Sequence, residues 1–156
     1  MRHTQSHRLG TNNATVTDKR KSVHFRFDGK EYIGFEGDTL ASALLAHGVH
    51  LIGRSFKYHR PRGIFGSGSE EPNALIRVIK GATAEPNLRA TQIEIYDGLI
   101  AESQNRFPNL KFDLLSINNL FSRFFPAGFY YKTFMWPSTF WMVYEKFIRR
   151  AAGLGK

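Results

Sequence analysis

The sequence contains no cysteine. Disulfides, thiolate zinc sites and cysteine-ligated iron–sulfur clusters are thereby excluded, and the composition fits a reducing compartment. Long apolar runs are missing too. The best stretch, Thr133 to Tyr144, has 12 uncharged residues and is interrupted by Pro137, short of the roughly 20 needed to cross a bilayer. The first 22 residues have no apolar segment of the secretory kind, so a soluble, cytoplasmic protein is expected. Without a secretory route, Asn13-Ala14-Thr15 matches a glycosylation acceptor by spelling alone. There is no paired-carboxylate site, no HExxH and no GxSxG, so the chain spells out no complete active site. Acidic residues are the minority charge: 22 Lys+Arg face 13 Asp+Glu, a net charge of +9. That balance suits a nucleic-acid, anionic-membrane or acidic-protein partner.

What is present suffices for one domain with tails, since 156 residues carry 42% apolar residues. Residues 1–21 are polar, basic and aperiodic, and read as a disordered tail. In VHFRFDGKEYIG (23–34), Val23, Phe25 and Phe27 alternate with His24 and Arg26, the period of a half-buried strand. Asp28-Gly29 is a two-residue hairpin signal, with Tyr32 and Ile33 on the return strand. A helix is expected over LASALLAH (40–47), with Asp38 or Thr39 as N-cap and Gly48 at the left-handed C′ position. His47, in its last turn, reads as a dipole-favoured surface residue rather than a ligand or base.

Beyond the helix, Arg54, Lys57, His59, Arg60 and Arg62 lie within nine residues, interleaved with Phe56 and Tyr58. Arginine forks bind carboxylates and phosphates and stack on rings, and Pro61 with Gly63 fixes an extended turn rather than a surface helix. A buried or interfacial anchor is therefore expected, and single-stranded nucleic acid is the alternative partner. The loop GIFGSGSEEPN (63–73) reads as a plain turn, since Gly-Ser-Gly lacks the rest of a phosphate-binding motif. Glu70-Glu71 reads as a loop acid pair answering nearby arginines. Ala74 to Ile79 forms a short apolar strand with Arg77 facing the other way. Thr91 to Ile95 alternates as a further strand, turned by Asp97-Gly98 towards Leu99-Ile100. The order predicts an α+β fold, a small β-grasp sheet wrapped around one helix over residues 22–105.

Residues 106–156 differ in character. Of the 14 Phe, 6 Tyr and 2 Trp in the chain, 12 fall between Phe121 and Phe147. Contiguous rings on this scale both wrap a domain and mark contact surfaces, with the interface share the larger. Thr139 to Arg150 reads as a helix behind Pro137, and the glycine-containing end as a linker to a following domain.

Three long runs then carry a resemblance: residues 37–78 including SFKYHRPRGI and EEPNAL, residues 85–108, and residues 124–141 including PAGFYYKTFMWP. Together they resemble the N-terminal region of the alpha subunits of heterotetrameric sarcosine oxidases, over residues 23–154. The region is also similar to plant-type [2Fe–2S] ferredoxin-like domains, whose loop carries cysteines spaced C-x4-C-x2-C. The matching positions here are Gly66, Glu71 and Ala74, which supply no thiolate, so the resemblance implies the scaffold without the metal. It implies a non-catalytic structural domain of an enzyme that demethylates sarcosine to glycine, yielding formaldehyde or methylene-tetrahydrofolate and hydrogen peroxide. FAD, FMN, NAD and tetrahydrofolate belong to that full complex, and none is expected on this chain. The implied partners are the remaining alpha-subunit domains and the beta, gamma and delta subunits, met through Arg54, Lys57, Tyr58, Arg60 and Arg62. Phe129, Tyr130, Tyr131, Phe134 and Trp136 are expected to supply the hydrophobic contacts.

Overall fold

The computed structural model of the chain describes Arg8, residues 18–124 and residues 137–151. It opens with the expected hairpin, β1 (Asp18–Phe27) and β2 (Lys30–Glu36). Asp28 and Gly29 take φ of 49° and 76°, the double positive φ that a twist-matched two-residue turn needs. The hairpin puts Phe25 opposite Tyr32, with ring centroids 5.6 Å apart. The strand begins at Asp18, inside the stretch read as tail. Arg8 is held as well, its guanidinium 2.5 Å from Asp38 and stacked over Phe35.

Helix α1 (Leu40–Ala46) follows, capped by Thr39, whose hydroxyl accepts from the Ser42 N–H. Gly48 closes it at φ 70°. Asp38, the other capping candidate, is buried and accepts from the Phe35 N–H and the Ser42 hydroxyl. The helix buries Leu40, Ala41, Ala43, Leu44 and Ala46 against Phe25, Ile52, Ile76, Val78, Ile95 and Leu99. His47 corrects its expectation. It is half-buried, its Nε2 lies 2.7 Å from the Ile33 carbonyl, and its ring meets Tyr32 edge-on.

A two-stranded ribbon comes next, β3 (Gly53–Arg54) paired with β4 (Pro61–Arg62). Gly63 must lack a side chain there, because a Cβ would stand 2.6 Å from the His50 carbonyl oxygen. After the 63–74 loop, β5 (Leu75–Lys80) turns at Gly81 into β6 (Thr83–Arg89), and β7 (Leu99–Ser103) returns to the centre. The sheet order is β2-β1-β7-β5-β6, with β7 parallel to β1 and antiparallel to β5. The result is a mixed five-stranded sheet with one helix on its core face.

Two strand expectations are corrected. Residues 91–95 do alternate, with Thr91 and Ile95 buried, yet they form no strand of the sheet. Hydrogen bonds of residues 90–95 serve α1 and its approach: the Ile93 carbonyl accepts from Leu40 N, the Ala90 carbonyl from Ala41 N, and Ile95 N donates to the Asp38 carbonyl. The segment thus satisfies helix-start N–H groups that have no partner within the helix. The strand the sequence hides is β6. Its TAEPNLR run carries Pro86, and its register slips against β5 between Ile76 and Val78, with Asn87 at φ 61°. Proline is tolerated at such a bulged sheet edge, where a ladder N–H is dispensable.

Past β7, a strap runs through Phe107 to Asp113 into a 3-10 turn, Leu114–Asn119. The expected late helix is α2 (Trp141–Ala151), entered through a 3-10 turn at Ser138–Phe140 with Pro137 at its cap. Among the described residues, no helix is long and apolar enough to cross a membrane.

Candidate functional site

Two constructions stand out, and each consumes residues that the sequence singled out. The first is the loop between β4 and β5. Glu71 is fully buried there, which alone disfavours a carboxylate. Its Oε2 accepts from the Phe65 N–H at 2.6 Å and from the Gly66 N–H, and its Oε1 accepts from Asn73 N at 2.7 Å and Ala74 N at 3.1 Å. Burial pushes its carboxyl up, but the four backbone donors outweigh burial and hold it below the ordinary 4.5. The loop is pinned from outside as well. Arg89 Nε donates to the Glu71 carbonyl, the Thr91 hydroxyl to the Gly68 carbonyl, and Arg62 to the Asn73 side chain.

Glu71 therefore does not pair with arginine, contrary to the acid-pair expectation. The Arg89 guanidinium bonds its main chain instead, and the carboxylate oxygens are taken up by four N–H groups. Glu70 is exposed and accepts from the Gly68 N–H. Gly68 opens a turn whose carbonyl accepts from the Glu71 N–H, while Gly66 lies before it with its N–H committed to the Glu71 carboxylate.

The second construction joins the basic turn to the strap. Arg54 has a side chain only 8% exposed. It donates from Nε to the Leu110 carbonyl and from its terminal nitrogens to the His59 and Lys111 carbonyls. Its Nε stands 3.5 Å from Asp113 Oδ2, the oxygen that His59 Nδ1 also meets at 2.7 Å. His59 holds φ at 52°, and its N–H donates to the Ser55 carbonyl. Asp113 accepts in addition from Phe107 N and Leu115 N. The ribbon and the strap are one hydrogen-bonded unit.

Of the anchoring residues named from sequence, Arg54 and Arg62 are thus spent inside the fold. Arg60 is exposed, donates to Asn119 Oδ1 and lies over the Tyr58 ring, which Lys57 covers from 4.8 Å. Phe129, Tyr130, Tyr131, Phe134 and Trp136 lie outside the described residues. Sequence reasoning missed the roles of Asp113 and Glu71: Glu71 acts through main-chain donors that no side-chain pattern displays, and Asp113 meets His59 from 54 positions away. It also passed over Phe65, 84% exposed beside the Glu71 loop, and the exposed Leu114, Ile117, Leu120 and Phe121. Among the described residues, no group of three or more His, Cys, Asp or Glu is placed to hold a metal ion.

Residues 20–106 match the 2Fe-2S iron-sulfur cluster binding domain family. The chain belongs to that family. It is also homologous over most of its length to sarcosine oxidase subunit alpha: 61% identical across 142 residues to that of Rhizobium meliloti (strain 1021), covering 90% of this chain and 14% of the relative. The same subunit of Corynebacterium sp. (strain U-96) is 49% identical across 87 residues, 54% of this chain and 9% of the relative. A solved structure, L-proline dehydrogenase from P. horikoshii, aligns with a TM-score of 0.44 at 30% identity, over 62% of this chain and 18% of its own. The chain thus spans about one seventh of the length of the first of these relatives.

The residues present do not fit the 2Fe-2S cluster of this family. The full sequence offers no thiolate, and Gly66, Glu71 and Ala74 stand at the spacing where the resemblance places cysteines. The loop donors that face inward are bonded to the Glu71 carboxylate.

Proposed function

We propose that this chain is a non-catalytic docking domain of a sarcosine oxidase alpha subunit, a β-grasp scaffold that serves the enzyme by holding its parts together. The observation that carries the reading is the 61% identity to such a subunit over 90% of the chain, joined to a cluster loop without a ligand set. The strand order, with β7 parallel to β1 between two antiparallel hairpins, supports the β-grasp assignment. The exposed Leu114, Ile117, Leu120 and Phe121 after the strap, with the exposed Phe140 just before α2 and Met142 and Phe147 on it, supply apolar surface of the kind that interfaces cover. Arg60 and Lys57, braced on Tyr58, add charged contacts at its edge.

In this reading the assembled enzyme oxidatively demethylates sarcosine to glycine in the cytoplasm. FAD, FMN, NAD and tetrahydrofolate sit on its other domains and on the beta, gamma and delta subunits. The aromatic segment with Phe129, Tyr130, Tyr131, Phe134 and Trp136 completes the docking face. Co-expression of the tagged chain with the remaining alpha-subunit polypeptide and the other subunits tests it. Co-purification that survives about 0.5 M salt is expected, because apolar burial is not screened by ions. Recovery of the chain alone, or capture of single-stranded nucleic acid that salt releases steeply, would overturn the reading.

A further inference from the structure

Four main-chain N–H groups of one loop point at a single place, and a side chain of the same loop fills it. Phe65 and Gly66 approach Glu71 Oε2 from one side, and Asn73 and Ala74 approach Oε1 from the other. The three positions where the resemblance places cysteines, Gly66, Glu71 and Ala74, converge there too. A Cβ added to Gly66 would stand 3.6 Å from Glu71 Oε2, the Ala74 N–H reaches Oε1, and the third position is Glu71 itself. Ala74 and Glu71 are both fully buried.

An apolar side chain of similar size would fill the same volume, but it would leave four buried donors without acceptors, at a cost for each. A cationic side chain would face the positive ends of four N–H dipoles. Only an anion with two acceptor oxygens answers them all, since successive inward N–H groups form an anion-binding concavity. The depression of the Glu71 carboxyl below its ordinary value has the same cause.

We propose that the Glu71 carboxylate is a built-in counter-anion: it fills the middle of the loop and keeps residues 65–74 folded as a nest for one carboxylate group. The loop of this chain is then a closed structural element, shaped to a small planar anion and not to metal. The inference rests on the family match and the loop geometry, and it stands independently of the docking role.

The test uses the full chain, 15N-labelled, as wild type, Glu71→Ala and Glu71→Gln. Sodium formate is the probe and sodium chloride at equal ionic strength the control. In the wild type, the amides of Phe65, Gly66, Asn73 and Ala74 exchange slowly and ignore formate. Glu71→Ala is expected to lower Tm by about 5–15 °C and to speed exchange of these four amides about tenfold or more. Formate, small enough to enter the vacated nest, should restore over half of the lost Tm and re-protect the same four amides, while chloride does neither. Glu71→Gln should not respond to formate, because the amide still fills the space. Equal effects of formate and chloride on Glu71→Ala, or four amides as protected as in the wild type, would overturn the proposal. Where Glu71→Ala does not fold, Glu71→Gln decides. Its carboxamide keeps one acceptor and turns one donor on the nest, so one pair of amides should lose protection. Four amides protected as before would sink the idea.

Discussion

Nδ1 of His59 lies 2.7 Å from Oδ2 of Asp113, with both side chains almost wholly buried. The contact joins residues 54 positions apart and ties the basic turn to the beginning of the aromatic extension. The Asp113 carboxylate also gathers Phe107 N at 3.0 Å and Leu115 N at 3.1 Å, with Arg54 Nε at 3.5 Å. Asp113→Ala would leave a buried imidazole and two N–H groups without their acceptor and the Arg54 guanidinium without its buried ion-pair partner. It is expected to destabilise the fold by about 3–5 kcal/mol, with Asp113→Asn costing less because the amide keeps one acceptor. Urea unfolding measures both. A midpoint unchanged in Asp113→Ala would mean that the strap does not fold with the sheet.

Much of this was legible in the sequence, and what was not has a common cause. The hairpin, α1 and its caps announce themselves through period, Asp28-Gly29 and Thr39. These are local signals, and the structure uses them locally. The segment 91–95 displays a strand's alternation, because two of its side chains face the core, while its main chain bonds the start of a helix about 50 residues earlier. β6 displays a strand's breaker, Pro86, at a bulged edge where a breaker does no harm. In the loop, Glu71 looked like half of an acid pair, since its four partners are peptide N–H groups that every residue type carries. Sequence pattern records side chains, so it loses sight of a fold where main-chain donors decide.

Arg54 and Arg60, six residues apart, separate structure from docking. Arg54 is buried and holds three carbonyl oxygens, whereas Arg60 is exposed and holds one side-chain amide. Arg54→Ala should cost about 2–3 kcal/mol, the scale of lost bonds from a charged donor. Arg60→Ala should stay within about 0.5 kcal/mol. In the proposed assembly, Arg60→Glu should weaken co-purification most at low salt, where the reversed charge is least screened, with the free chain's melting temperature barely moved. The opposite assignment, a stable Arg54→Ala chain and an unfolded Arg60→Ala chain, would show that the turn is held together differently.

Tyr32 offers a spectroscopic handle on the hairpin. Burial first, and the Asp28 carboxylate second, push its phenol above the ordinary 10.0. Because the folded value is the raised one, the stability tied to this proton is complete below pH 10.0 and lost as pH climbs through the folded value. Tyr32 should ionise late when the chain is titrated by ultraviolet absorbance, and Tyr32→Phe should delete that late step. A late step that persists in Tyr32→Phe would assign it elsewhere.

The acid side should be governed in part by Glu71. Its folded carboxyl lies below the ordinary 4.5, with burial opposing and the N–H groups of Gly66, Asn73, Phe65 and Ala74 prevailing. Between the folded value and 4.5 the unfolded chain binds the proton more readily, so acid favours unfolding. The contribution is thus complete at neutral pH and disappears as pH falls through the folded value. Glu71→Gln has no such proton to take up. The stability gap between wild type and Glu71→Gln should therefore be widest near pH 7 and shrink as pH falls through the folded value, where the wild-type carboxylate takes up its proton. Urea midpoints collected along that range check it. Parallel curves with a constant gap would mean that the carboxylate's charge contributes nothing beyond its shape, and the four N–H groups would then need another account.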